Sequence, residues 1–429
     1  MKKYETAIIG GGLSGLTAAV YLAEAGIETV IIEKGKEVGG RAQTVKKKGA
    51  YLNLGAHALY KGGEAEAVLH ELGITPSGGT PGTKGSAIWN QSIRPLPHHL
   101  SSLFATKLFS WSGKMEFGKV MLKLTKLKPE SISTVSLREW AETEITDPMV
   151  RHTFYALCRT STYCIEPEKL NARNVLAQVQ KGLKGVLYID GGWQTIADAI
   201  KTLAVDAGVT FLNHQSVDSV KRENSFILSL KSEEKLEASY IISTAGPEQT
   251  YSLLEGMEGT SLDRWRKSVK PIYAACLDVS LRKLPQPNEQ FAIGIDQHIL
   301  FTNQSRAASV SEDGSSVVSV LKYLGTETTA SPEADKRELE KIMDLMQPGW
   351  RTELEAYQFL PHIAVVQGSC AMMDYVPYGP FVPELPGFYV AGDGAGHSEM
   401  LVDAAFASAK RAASAIIHNY GNLEIRREA

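Results

Sequence analysis

Cysteine is scarce in this 429-residue chain: the four present, Cys158, Cys164, Cys276 and Cys370, form no C-x-x-C pair and no metal-type cluster. That leaves no candidate metal site and reads as free or buried thiols of a reducing compartment, hence a cytoplasmic protein. Net charge of one sign is lacking too. The formal balance is -3 and the sequence pI about 6.4, so no global basic field argues for nucleic acid as a partner. No run of about 18 or more residues is free of charges in the manner of a membrane span. Met1-Lys2-Lys3 before an apolar stretch imitates a secretory leader, but cleavage there would delete the first strand and the glycine turn that follows it. Internal repeats and low-complexity tracts are absent. No Ser-His-Asp set or carboxylate pair stands out either, so no catalytic residue is assigned.

What is present begins at Tyr4. Ala7-Ile8-Ile9 reads as a buried parallel strand and runs into Gly10-Gly11-Gly12-Leu13-Ser14-Gly15, a G-x-G-x-x-G turn. A helix is expected over Leu13 to Ala25, with Leu16, Ala19, Val20 and Ala23 at helical spacing and Gly26 just past its end. A second strand, Thr29 to Ile32, ends on Glu33 with Lys34 beside it. Each residue type has a physical use. Gly10 permits the tight turn, Gly12 lets a pyrophosphate approach the backbone, and Gly15 allows close helix–strand packing. The helix start at Leu13 and Ser14 offers unpaired N–H groups and a positive dipole end to phosphates. Glu33 can accept the two hydroxyls of an adenosine ribose. A lone glycine motif is weak evidence, but strand, glycines, helix, strand and terminal acid in this order make a dinucleotide fingerprint.

Six residues after Glu33 comes Gly39-Gly40-Arg41-Ala42-Gln43-Thr44, suited to a loop folded back over the same pyrophosphate with Arg41 neutralising its charge. With this second element the chain resembles the superfamily of flavin-containing amine oxidases, protoporphyrinogen oxidases and phytoene desaturases. The resemblance implies FAD, and the surroundings of Cys370 lead us to expect it noncovalently held. It implies that Gly55-Ala56-His57 passes close to the flavin, with His57 more naturally structural than reactive. It also implies that Val217 holds the adenine through its backbone, and that Asp190-Gly191-Gly192-Trp193-Gln194 enters a helix before the next cofactor strand. Near the C-terminus, Gly387 to Asp393 reads as an apolar strand ending on Gly392-Asp393, where Asp393 can accept a ribityl hydroxyl or hold a phosphate-bound water. The alanine-rich helix from Leu401 to Asn419 then offers the N–H groups of Met400, Leu401 and Val402 to the flavin. Family members often carry Gly-Ala near that helix start, where this chain has Val402-Asp403-Ala404.

Between these segments, Leu100 to Lys128 and Ser136 to Leu157 read as helical, the second opened by a Ser136–Glu139 capping box. Tyr273 to Leu281 and Val317 to Leu324 read as antiparallel strands, and Pro332 to Met346 as a helix with Leu339, Ile342 and Leu345 inward. The expected fold class is α/β, a Rossmann-like FAD-binding domain of the glutathione-reductase type with an inserted α+β substrate domain. The expected division assigns 1–95, 185–255 and 375–429 to FAD and 96–184 with 256–374 to substrate. In function the resemblance implies an FAD-dependent oxidoreductase, oxidase or desaturase, that moves a hydride from a C–N or C–C bond of an amine or lipophilic substrate to flavin N5. Oxygen or another acceptor then reoxidises the flavin. The alternatives are a flavin-free binding protein resembling GDP-dissociation inhibitors and an NAD(P)-dependent dehydrogenase, the latter having no use for the C-terminal unit. Cys370 sits upstream of Gly392-Asp393, as in oxidases with cysteine-linked flavin, but lacks their spacing, following aromatic residue and neighbouring base. Lys114 to Lys128 interleaves lysines with Met115, Phe117, Val120, Met121, Leu124 and Leu127. An ordinary lobe helix accounts for that pattern, and contact with a membrane surface is the alternative.

Overall fold

The computed structural model describes residues 1–326 and 331–428, with side chains up to residue 421. The apolar runs form a parallel core: Lys2–Ile9 lies between Thr29–Ile32 and Lys235–Ser243, with Ile8 level with Ile31 and Ile242. Thr210–Leu212 extends this sheet beyond Thr29–Ile32, and Phe388–Val390 pairs in parallel with Ile241 to Ser243. The first half of Lys235–Ser243 carries instead the antiparallel strands Phe226–Leu230 and Val217–Arg222. Strands apolar on both sides need cover on both faces. Helices Leu13–Glu24, Gln194–Asp206 and Leu401–Glu428 supply one cover, packing Leu16, Ile200 and Phe406 onto Ile8 and Ile31. Trp265, Leu262 and Leu385 close the other face over Ala7, Ile9 and Val30. Gly26, at φ 79°, stops the first helix where the sequence places the stop.

A second seven-stranded sheet runs in the order Leu354–Val366, Ile272–Leu281, Ser316–Gly325, Ile299–Asn303, Phe291–Gly294, Ser86–Trp89, Ser92–Pro95. Its pairs are antiparallel except Phe291–Gly294 with Ser86–Trp89. Helix Pro332–Met346 covers one face with Leu339, Ile342, Met343 and Met346. Five helices, Leu100–Ala105, Trp111–Lys126, Leu137–Glu144, Pro148–Thr162 and Ala172–Leu183, form a lobe with its own core around Phe117, Trp140, Phe154 and Val175. The fold is therefore a Rossmann-type α/β cofactor unit joined to an α+β unit. We propose the two sheets as the two domains, with Ser86–Pro95 on the substrate side although it precedes the change of composition at residue 96.

Three local expectations change. The helical stretch from Ser136 to Leu157 is two helices. The first has the expected capping box, with Glu139 N–H donating to Ser136 Oγ (3.1 Å) and Ser136 N–H donating to Glu139 Oε2 (2.8 Å). The second is restarted by Asp147, whose Oδ1 accepts the N–H groups of Met149 and Val150, with Pro148 at the first helical position. Proline keeps its predecessor out of helical geometry and suits a helix start, so the break lies there. Leu100 to Lys128 likewise divides at Thr106–Ser110. The longest strand, Leu354–Val366, was not expected: Pro361 interrupts its pattern, and the structure accommodates it on a sheet edge at an irregularity of register.

Candidate cofactor site and active site

The two glycine elements meet. Gly39 N–H donates to Gly11 O at 2.8 Å, Gly12 and Gly39 form a parallel bridge, and a Cβ on Gly40 would stand 3.3 Å from Gly12 Cα. The glycines divide into two physical kinds. A Cβ on Gly15 would lie 2.0 Å from Gly10 O, so its absence is required by helix–strand packing. Gly10, at φ 106°, would press a Cβ against Thr244 Oγ1. Gly12 is different: a Cβ there meets nothing within 4 Å, and its φ of -74° suits any residue. The chain leaves that space open directly before the start of helix Leu13–Glu24, whose N-terminus has no side-chain cap. An uncapped helix start beside open space fits an anionic pyrophosphate.

Glu33 is buried at the strand end, as expected, and both its oxygens accept backbone N–H groups, Oε2 from Gly11 and Oε1 from Gly35, each at 2.7 Å. A carboxylate has about four acceptor sites, so a ribose still finds room on it. Lys34 is exposed and forms no ion pair among the described residues. His214 and Gln215 donate their N–H groups to Gly35 O and Glu33 O at 3.0 Å, which brings the start of strand Val217–Arg222 and the buried Val217 to the Glu33 end of the site.

At the other end Arg41 and Asp393, 352 residues apart, form a two-pronged ion pair of 3.0 and 2.5 Å. Gln367 N–H donates to Asp393 Oδ2 at 2.8 Å, and Arg41 Nη1 also donates to Val365 O at 3.2 Å. Sequence reasoning gives these residues separate partners, the pyrophosphate and a ribityl hydroxyl; here each carries the other's countercharge. Gly392, at φ 122°, is tied to helix Leu401–Glu428 by Ser408 Oγ at 2.9 Å. Leu401 has φ 57°, a conformation a bulky side chain seldom adopts, at the helix start expected to face the flavin. Val402 is half-buried, while Asp403 is fully buried. Asp403 accepts Ala65 N–H at 3.0 Å and pairs with Lys181 at 3.3 Å, which gives this buried acid a structural role at the helix start.

The segment Gly55-Ala56-His57 lies between the two units. Gly55, at φ 108°, abuts Ile363, since a Cβ would come 2.8 Å from its Cδ1. His57 Nδ1 lies 2.7 Å from Gly55 O, which makes it the protonated nitrogen, and its ring sits 5.0 Å from that of Trp193. Burial, with Arg41 nearby, pushes the imidazole below its usual range, so it is neutral. Ala56 O accepts Tyr163 Oη at 3.4 Å, and Tyr163 holds an unusual φ of 61° at the end of its helix. Beyond Ala56, half-buried Tyr163, Ile165, Leu360, Ile363 and Val365 surround buried Cys276, Leu321 and Tyr323. Trp193, Tyr163, Ile363 and Gln367 thus adjoin the expected site residues His57, Ala56, Gly55 and Asp393, and the sequence reading assigned none of them to the site. Only Trp193 lay inside a noted motif; the others come from distant segments with no local signal.

All four cysteines are buried free thiols. Cys370 donates to Ser398 O at 3.3 Å, next to the Leu401 helix start, and burial pushes its thiol up to about 12.

Comparison with known proteins agrees with this geometry. A family model described as flavin containing amine oxidoreductase matches residues 13–267. A 4,4'-diaponeurosporene oxygenase of Staphylococcus aureus is 22% identical over 303 residues, covering 62% of this chain and 60% of that protein. The chain thus spans about 60% of the length of the curated relatives it matches. Among solved structures, an oxidoreductase from Methanosarcina mazei superposes with a TM-score of 0.77 at 19% identity, covering 95% of this chain and 99% of the other. A putrescine oxidase, solved bound to putrescine, gives 0.73 at 16%, with 97% and 99% covered. At such identities these two show the fold. Since the family model covers more than half of the chain, Glu33 and Gly39-Gly40-Arg41 included, the chain belongs to the flavin-containing amine oxidoreductases.

Proposed function

We propose that this enzyme oxidises a C–N or C–C single bond of an amine or lipophilic small molecule, with oxygen or another acceptor taking up the electrons afterwards. The carrying observation is the apolar, partly accessible surface of Tyr163, Ile165, Leu360, Ile363 and Val365 against the Gly55-Ala56 segment. FAD, when bound, accepts the hydride at N5. The chain's own part is to align the substrate and keep water away, for which an aromatic and aliphatic wall suffices. In this reading Gly10, Gly12, Leu13, Ser14, Gly15, Gly39, Gly40 and Arg41 bind the pyrophosphate. Glu33, with Lys34 beside it, takes the adenosine ribose and Val217 the adenine. Gly55, Ala56, His57, Gly392, Asp393, Leu401 and Val402 lie along the ribityl and ring portion. His57 positions rather than reacts, because its one protonated nitrogen is engaged by Gly55 O and its ring by Trp193.

The test is an aerobic screen of amines, polyenes and porphyrinogens that follows bleaching of the flavin absorbance. Bleaching by one class, with turnover, identifies the substrate; a purified protein without flavin colour would favour a binding role on the same scaffold. Colour should leave the protein on acid precipitation, because a buried, protonated Cys370 is a poor nucleophile toward flavin. Colour retained in the pellet, and lost in Cys370→Ser, would overturn noncovalent binding.

Glu33→Ala should lower FAD retention on gel filtration by about tenfold or more, since hydrogen bonds to a charged acceptor contribute about 1.5–3 kcal/mol each. The loss combines two effects, the ribose contacts and the release of Gly11 and Gly35. Glu33→Gln, which keeps an acceptor, should lie between. Full retention in both variants would remove Glu33 from the site.

A further inference from the structure

Exposed large apolar side chains concentrate on one patch of the helical lobe. Helices Leu100–Ala105 and Trp111–Lys126 expose Leu100 (75%), Phe104 (47%), Trp111 (68%), Met115 (48%) and Leu122 (57%), with the Phe104 and Trp111 rings 5.6 Å apart. On the second helix Trp111, Met115 and Leu122 share one stripe, and Gly118 between them adds no bulk. The opposite stripe, Phe117, Val120 and Leu124, is buried in the lobe core. The helix is therefore apolar on two faces, of which its own fold covers one.

The charge around the open face is one-sided. Residues 96–128 contain six lysines and a single acid, Glu116, in a chain whose balance is -3. Glu116 is turned to the lobe, its oxygens accepting the N–H groups of Thr146 and Asp147 at 2.7 Å, and Lys123 pairs with Glu144. Lys107, Lys119, Lys126 and Lys128 are exposed, and Lys114 donates to Phe104 O at 2.6 Å. None of these five forms an ion pair among the described residues.

We propose that this patch seats the protein on an anionic lipid bilayer, with Leu100, Phe104, Trp111, Met115 and Leu122 in the headgroup–acyl boundary and the lysines against lipid phosphates. The choice of occupant follows from charge. A second copy docking through the same patch would bring lysines against lysines, whereas an anionic surface complements them and an apolar layer accepts the stripe. Tryptophan at the polar rim of an apolar face suits the interface, where its ring is half wet. No helix among the described residues is long and apolar enough to cross a membrane, so the contact is with the surface. The proposal is independent of which compound is oxidised.

The test is co-sedimentation of the flavin-loaded protein with phosphatidylcholine vesicles, with and without phosphatidylglycerol, at low and high salt. Binding to the mixed vesicles is expected, weakened by salt. Trp111→Ser combined with Leu122→Ser should weaken it by about tenfold or more, and Lys119→Glu or Lys126→Glu by roughly fivefold each. The flavin spectrum should be unchanged in all variants, since these side chains are exposed. Absence of binding to the mixed vesicles at low salt, equal binding to both vesicle types, or binding indifferent to the substitutions would overturn the proposal. So would a concentration-dependent dimer that the double variant abolishes, because a second copy would then be the occupant.

Discussion

Gly12→Ala should yield a protein that folds normally and has lost its flavin. The added methyl meets no atom of the chain within 4 Å, and the backbone at φ -74° and ψ 179° suits alanine. The cost to the apoprotein is that of a poorer helix-start residue, about 1 kcal/mol or less. The same methyl occupies the open space before the uncapped helix start, where a pyrophosphate would approach the backbone. Overpacking of a tight contact costs about 1–3 kcal/mol, so FAD affinity should fall by roughly 5- to 150-fold. Gly15→Ala is the contrasting variant. Its methyl would stand 2.0 Å from Gly10 O, a backbone atom that cannot step aside, so stability should fall along with flavin content. Thermal melting and absorbance of the two variants separate the cases. Full flavin content in Gly12→Ala would mean that no cofactor passes this turn.

Asp278→Asn should stabilise the protein at neutral pH, and the gain should vanish in acid. Asp278 is buried on strand Ile272–Leu281, and three groups donate to it: Ser319 Oγ at 2.5 Å, Gln358 Nε2 at 3.3 Å and Cys276 Sγ at 3.5 Å. No ion pair compensates it among the described residues, and Lys47 acts only through space. Burial outweighs the donors and pushes the carboxyl up to about 6 from 3.8. The sign follows from proton counting. Between these two values the folded chain binds more protons than the unfolded one, so stability falls as pH rises through the window. Above it the folded state carries a cost of about 3 kcal/mol; below it the cost is absent. An amide removes the charge, keeps an acceptor for Gln358 and turns its NH2 to the Ser319 hydroxyl, which can rotate to accept. The difference in denaturation midpoint between variant and parent should therefore be large at pH 7.5 and close to zero at about pH 3.5. A difference independent of pH would show that Asp278 is not the titrating group. The site also links the two units, because Gln358 Nε2 donates to Asn53 O at 2.8 Å, and Asn53 Oδ1 accepts Trp193 N–H at 3.0 Å.

Much of the cofactor unit was legible because its signals are local. The turn from Ile9 to Gly15, the stop at Gly26 and the acid closing Thr29–Ile32 depend on backbone conformations and periods encoded within about thirty residues. The Ser136–Glu139 capping box and the inward faces of Pro332–Met346 were readable for the same reason. Leu354–Val366 was not. Its order comes from pairing with Ile272–Leu281 across about eighty intervening residues, and Pro361 argues locally against a strand.

The sequence by itself determined that this chain builds a dinucleotide fold for a flavin. Glycines at turns and an acid at a strand end act through their own backbone, so their meaning survives without knowledge of the rest. Only the tertiary structure decided which charges neutralise each other and which apolar faces are covered. Arg41 and Asp393 pair across 352 residues, although each alone reads as a ligand for the cofactor. Along Trp111–Lys126 two apolar stripes compete for the lobe core, and period alone cannot rank them. Burying Phe117, Val120 and Leu124 contributes about 1.5–3 kcal/mol for each larger side chain, a gain realised only because Trp140, Phe154 and Val175 stand opposite. Trp111, Met115 and Leu122 face outward because the fold places no such wall before them.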